Sequence, residues 1–309
     1  MVFSQFAPPA GISGSTAIHR DSIVFVSWAK KVEIQRGYID ISDKSLGYVD
    51  YGENDYVLGK ADGKVISLGD SGVAIVRLAN PVVNGESWDF AIFENGFSDE
   101  FLELAFVEVS SDGEHFFRFP SISLTDTVDQ IETFGTLDTR KVHNFAGKYR
   151  VNYGTPFDLD SLSDNEFLDK NNILFIKIID VVGSISDVFA SHDSYGHKVN
   201  DPYPTAFNTG GFDLDAIGII HQKSINRNRN SDILNVMIYP NPFHSHLKID
   251  AKDGIITRIE IIDIYGNKVL SFNNSGQILY DLSMLSAGMY FVKVNFKNDR
   301  NIRKKILKN

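Results

Sequence analysis

Between Asp21 and His221 the chain is built of short apolar runs cut by Gly, Asn and Asp, with almost nothing at helical spacing. Such a pattern lets only a sheet-rich fold bury its apolar surface. The runs at 22–28, 64–68, 73–79, 88–94, 102–110, 116–119, 173–181 and 212–220 are predicted strands, and one helix candidate lies at 158–168. Strands at this density without regular intervening helices imply an antiparallel sandwich, here jelly-roll-like. Within it, Ser110-Ser111-Asp112-Gly113 reads as a hairpin turn, because Asp-Gly supplies positive φ.

A second period-two pattern lies near the C-terminus. Ile259, Ile261 and Asp263 alternate with Ile262 and Ile264 before Tyr265-Gly266-Asn267, and Tyr290, Val292 and Val294 alternate with Phe291, Lys293 and Asn295. Pro240 and Pro242 cannot donate to a ladder, so Tyr239-Pro240-Asn241-Pro242 suits an edge segment. This segment is expected to form a small immunoglobulin-like β-sandwich. The ordered blocks Tyr239-Pro240-Asn241-Pro242-Phe243, Ile261 to Val269, Leu285-Ser286-Ala287-Gly288-Met289-Tyr290, and the basic end Arg303-Lys304-Lys305 resemble the type A C-terminal sorting domain of Bacteroidetes. That resemblance implies export by the type IX (Por) secretion system, with residues 236–309 engaging its machinery and sortase. Val2 and Ser4 stand where a signal-peptide cleavage site before Gln5 would need small or apolar residues, so 1–9 reads as a signal-peptide remnant and arm. The expected organisation is completed by a binding domain over 10–222 and a polar linker over 223–235.

The formal charge of −10 is unevenly spread: residues 1–220 hold 16 Lys/Arg against 33 Asp/Glu, whereas 236–309 hold 11 against 6. A strongly acidic main domain argues against nucleic acid or anionic lipid as its partner and suits cations or neutral ligands. The absence of cysteine removes disulfides, thiol nucleophiles and cysteine-ligated metals. No apolar run is long enough to cross a membrane as a helix.

Several acids sit where predicted strands leave the core. Glu94-Asn95 ends the face of Trp88, Phe90 and Ile92, Asp180 ends the face of Leu174, Ile176 and Ile178, and Asp213 and Asp215 are spaced to share one side of a strand. Buried unpaired carboxylates are costly, and a hard cation would neutralise them. One Ca²⁺ held by Glu94, Asn95, Asp213 and Asp215, with Asp180 in reserve, is therefore expected. The long segment 184–211 offers His192, Asp193, Tyr195, His197, Tyr203 and Phe207 as a ligand surface, and His143 and Tyr149 from 125–153 are expected to form the opposite wall.

A further resemblance is carried by Gly14-Ser15-Thr16-Ala17-Ile18-His19, Val65-Ile66-Ser67-Leu68-Gly69, Asp89 to Phe97, Glu103 to Gly113, Asn144 to Tyr149 and Gly211 to Ala216. Together they resemble a family of bacterial cell-surface or secretion proteins often found beside TonB-dependent cobalamin receptors. The resemblance implies surface binding, with capture of a small nutrient, cobalamin foremost, for such a receptor, His192 or His197 reaching the cobalt. A glycan-binding or adhesive module uses the same loops. Paired acids also suit a glycoside hydrolase, but Gly-x-Ser-x-Gly, His-Glu-x-x-His, P-loop and dinucleotide-binding patterns are all missing, so a non-enzymatic module is expected.

Overall fold

The computed structural model describes residues 6–223, 236–251, 255–264, 266–273, 276, 278–297 and 301–309. The expected leader remnant at 1–5, Tyr265 and all of the expected linker except Lys223 lie outside them. The chain divides into two compact units, Met1–Ser224 and Ile225–Asn309. Both are all-β.

In the first unit two sheets pack face to face. One runs Ile18–His19, Tyr153–Phe157, Phe90–Glu94, Asp213–Ile219, Ser27–Trp28, with Ile66–Ser67 also paired to Asp213–Ile219. The other runs Val32–Gln35, Val73–Val82, Ile173–Asp180, Ala105–Ser110, Phe117–Arg118, and every pairing in both is antiparallel. Ile176 and Ile178 of one sheet meet Phe90, Ile92 and Ile217 of the other in a single core. Its centre is an aromatic triad: Phe90 stacks on Phe157 at 5.4 Å, and Phe119 lies 5.0 Å from Phe157 and 5.8 Å from Phe90. Removing a ring from such a centre leaves a cavity the sheets cannot close.

The strand Asp213–Ile219 is buried at every residue. Leu214, Ile217 and Ile219 face the main core, while Ala216 packs with Ala91 and Phe93 beneath Phe25 and Trp28. Alternation along it is interrupted. Leu214 opposes Glu94 and Ala216 opposes Phe93, so Asp215 is the extra residue of a bulge, and the even spacing that predicted a shared face for Asp213 and Asp215 does not hold there.

One further sequence expectation is corrected, and one strand forms outside the predicted set. The helix candidate at 158–168 is a single 3-10 turn, Leu159–Ser161, whose Asp160 amide is capped by the Asp158 side chain while the Leu159 amide donates to Asp89. Asp and Ser in that stretch satisfy backbone groups locally and compete with a helix. The strand Tyr153–Phe157 arises where Gly154 and Pro156 suggest a break. Pro156 lies beyond the neighbouring strand Ile18–His19, which pairs only with Tyr153 and Gly154, so on that side no partner strand needs its amide, and Gly154 is required because a Cβ would come 2.8 Å from the Phe93 ring.

The second unit follows its period-two pattern. Sheets of order Val236–Tyr239, His246–Ala251, Leu279–Asp281 and Lys268–Asn273, Ile256–Ile262, Gly288–Phe296, Asn301–Lys308 enclose Leu247, Ile249, Ile259, Ile261, Val292 and Val294. Ile264 is exposed, and the Tyr-Pro-Asn-Pro segment leaves the edge strand Val236–Tyr239, as its prolines require.

Candidate functional site

The strand Phe90–Glu94 belongs to one sheet and Ala105–Ser110 to the other, so the segment between them crosses the end of the sandwich. It carries Asn95, Phe97, Phe101 and Glu103 to a cleft of about 440 Å³. Thr205, Phe207, Thr209 and Gly210 close one side, Thr133 and Phe134 another, and Tyr51 and Asp213 complete it. A volume of this size is typical of small-molecule sites.

The rim is aromatic. Phe97 lies 5.4 Å from Phe101, Phe101 lies 6.3 Å from Phe134, and Phe134 lies 6.0 Å from Phe207, most of them near parallel. Phe97 is 77% exposed and Phe134 73%. Four neighbouring phenylalanines left this open on an acidic surface form an apolar patch of the kind that marks a binding site.

The floor is acidic. Asp213 accepts a short hydrogen bond from the Ser67 hydroxyl and is also hydrogen-bonded by the Asn95 side chain. Glu94 Oε2 accepts from the Gly96 amide at 2.7 Å, while its buried Oε1 has no hydrogen-bond partner among the described residues. Burial pushes Asp213 up to about 7 despite those hydrogen bonds. Burial first, and then repulsion from Asp213, holds Glu94 and Glu103 well above the usual carboxylate range. Three acids this close in a poorly solvated site cannot all ionise at neutral pH. Arg36 offsets this for Asp213 only through space, because its guanidinium donates to the carbonyls of Tyr51, Ser67 and Gly52.

The other residues named for calcium lie apart from the cleft. Asp215 accepts from the amides of Asp62 and Gly63 at 3.1 and 3.2 Å, and its carboxyl is raised to about 6 by burial. Asp180 accepts from Ser71 and Phe212 amides at 3.0 and 2.7 Å, pinning two loops to the strand end. Among the described residues, no three His, Cys, Asp or Glu side chains are arranged to hold a metal. Comparing the melting curve of the full chain with and without EDTA tests the expected calcium, and an unchanged transition would count against the site. A transition lowered by several degrees in EDTA would instead mean a bound hard cation.

Of the eight residues named for the ligand surface, Phe207 alone lines the cleft. Asp193 organises its own loop, accepting from the amides of Ser123, Tyr195 and His197 and contacting His197 Nδ1 at 3.0 Å. Tyr195 is exposed and stacks loosely on His197, and His192 is exposed on the same turn. Tyr203 is half-buried and donates from its hydroxyl to Asp40 at 3.2 Å. Tyr149 is buried with its hydroxyl 2.8 Å from that of Thr16, and His143 stacks on Phe6 at 4.9 Å. The opposite wall expected from 125–153 is present, but Thr133 and Phe134 build it. Phe97, Phe101, Phe134, Tyr51 and Glu103 escaped the sequence reading. Their one signal is a pair of phenylalanines four apart in the otherwise polar stretch after Glu94-Asn95-Gly96.

Solved structures similar to this chain share little sequence with it. A β-1,2-glucanase from Parabacteroides distasonis has 8% identity and a TM-score of 0.26, over 94% of this chain and 38% of that one. A β-glucuronidase from Ruminococcus gnavus has 10% identity and a TM-score of 0.22, over 100% and 47%. The BSP domain of a biofilm associated protein has 10% identity and a TM-score of 0.21, over 91% and 52%. The chain thus spans about half or less of each, and at these scores the likeness carries no argument about function. No curated protein matches the chain. Residues 237–309 match the secretion system C-terminal sorting domain, and so the second unit is a type IX sorting domain that marks the chain for the cell surface or the exterior.

Proposed function

We propose that the acidic unit is an exported binding module that takes one or two sugar rings of a surface or environmental glycan in the phenylalanine-rimmed cleft. The observation that carries this reading is the juxtaposition of exposed Phe97, Phe134 and Phe207, linked through half-buried Phe101, with the polar floor of Asn95, Glu103 and Asp213. Flat rings stack on the apolar face of a pyranose, while amide and carboxyl groups, some protonated, donate and accept with its hydroxyls. A glycan array with the full chain, followed by calorimetric titration of the best ligand, tests it. Phe134→Ala and Phe207→Ala should each weaken binding about tenfold, or about 1.4 kcal/mol. Binding unchanged in both variants would refute the cleft as the site.

Nutrient capture for a TonB-dependent receptor is the competing reading, with cobalamin as its cargo. It receives less support, because neither His192 nor His197 lines the cleft and the latter's Nδ1 is held by Asp193. Heat on titrating cyanocobalamin, with none from any glycan, would reverse the preference. Glu103 and Asp213 share the cleft, so release of reducing ends during the glycan titrations would turn the module into a hydrolase.

A further inference from the structure

A second cavity, of about 210 Å³, lies where the N-terminal arm crosses the sheet, and it has the opposite polarity to the cleft. Phe6, Trp88, His143, Asn144, Lys148 and Pro156 are among its walls, and none of its lining residues is acidic. That is notable in a unit with twice as many acids as bases.

Lys148 is 3% exposed. Its ammonium donates to the Val142 carbonyl at 2.7 Å and lies 5.9 Å from the centre of the Phe6 ring, which caps the cavity. Among the described residues it has no carboxylate at ion-pair distance: Arg140 holds Asp138, whose charge reaches Lys148 only through space. An ammonium has three donors, and here one acceptor is supplied. Burial lowers Lys148 to about 8, so most copies still carry the charge at neutral pH. His143, held low by burial and by Lys148, is neutral there and adds no second cation. The Tyr149 ring lies 5.8 Å away on another side, but among the described residues no counter-ion meets the ammonium; a buried charge without one is costly, and the cavity is the open side from which one can enter.

We propose that this cavity is a binding site for a small organic carboxylate, whose anionic head meets Lys148 and whose ring or branched chain lies against Trp88, Phe6 and Pro156. Size agrees with that assignment: a cavity of about 150 Å³ accepts benzene, so this one accommodates one ring and a carboxylate. The apolar walls distinguish it from a site for an inorganic oxyanion, which they would leave poorly solvated.

The test is calorimetric titration of the full chain at pH 7 with sodium benzoate, benzyl alcohol and sodium phosphate, repeated on Lys148→Met and Phe207→Ala. Benzoate should bind at least tenfold tighter than either control, lose at least tenfold in Lys148→Met, and be unchanged in Phe207→Ala, which separates this site from the cleft. Equal binding of benzyl alcohol would reduce the site to an apolar hollow, tighter binding of phosphate would remove the carboxylate assignment, and absence of benzoate binding would overturn the proposal outright. Should Lys148→Met fail to fold, as read from its tryptophan fluorescence, the three-ligand comparison on the unaltered chain decides alone.

Discussion

Replacing Asp213 by Asn should stabilise the acidic unit by about 2–4 kcal/mol at pH 8 and by less than about half as much at pH 5. Asp213 is buried and its carboxyl is raised to about 7, so the folded unit binds a proton there that the unfolded chain releases near pH 4. Stability from such a group is complete below the unfolded value and is lost as pH rises through the folded one. Asp215 and Asp70, each raised to about 6 chiefly by burial, act in the same direction. The unaltered unit should therefore lose stability steadily from about pH 4 to pH 7. Asn keeps the oxygen that accepts from Ser67 and removes the charge that repels Glu94 and Glu103. Both tryptophans, Trp28 and Trp88, lie in this unit, so urea unfolding followed by their fluorescence reports on it selectively. An equal effect at the two pH values would show that burial does not raise the Asp213 carboxyl.

The largest loss is expected from Gly147→Ala. Gly147 has φ of +80°, and a Cβ there would lie 1.8 Å from the Glu103 carbonyl oxygen and 3.1 Å from the Phe212 ring. Neither neighbour can give, since the adjoining Ala146 is hydrogen-bonded in both directions to Ala105 and Phe212 is fully buried. The left-handed conformation costs about 1–2 kcal/mol for any L side chain, and the overlap adds about 1–3 kcal/mol or more. Gly63 isolates the first part. Its φ is +85° and a Cβ there meets nothing within 4 Å, so Gly63→Ala should lose only the conformational share. Gly147→Ala should also weaken glycan binding, because the carbonyl it displaces is that of a floor residue. If the two variants melt alike, Gly147 has slack that the close approach denies.

The fold was legible because burial on a sheet imposes a period that survives in the sequence, as in Ile259, Ile261, Val292 and Val294. It was less so where Gly154 and Pro156 lie inside a strand, since their place is set by a partner ring and a partner strand far away in sequence. Of the polar floor, Asn95 and Asp213 could be read at strand ends beside Glu94, whereas Glu103 could not. The phenylalanines could not: an aromatic residue in a loop reads equally well as a pin or as a platform, and only exposure separates Phe97 and Phe134 from Phe145. Asp193 shows the converse. In sequence it stands among histidines and tyrosines like a ligand residue, yet its oxygens are consumed by the turn that surrounds it.

The carboxyl groups under the phenylalanine rim also act as a small reservoir of hydrogen ions. Any guest that changes their access to water shifts how many they hold, so its uptake near neutrality exchanges hydrogen ions with the buffer. Calorimetric heats should then differ between phosphate and Tris in proportion to that exchange, a signature that a guest seated elsewhere on the protein would lack.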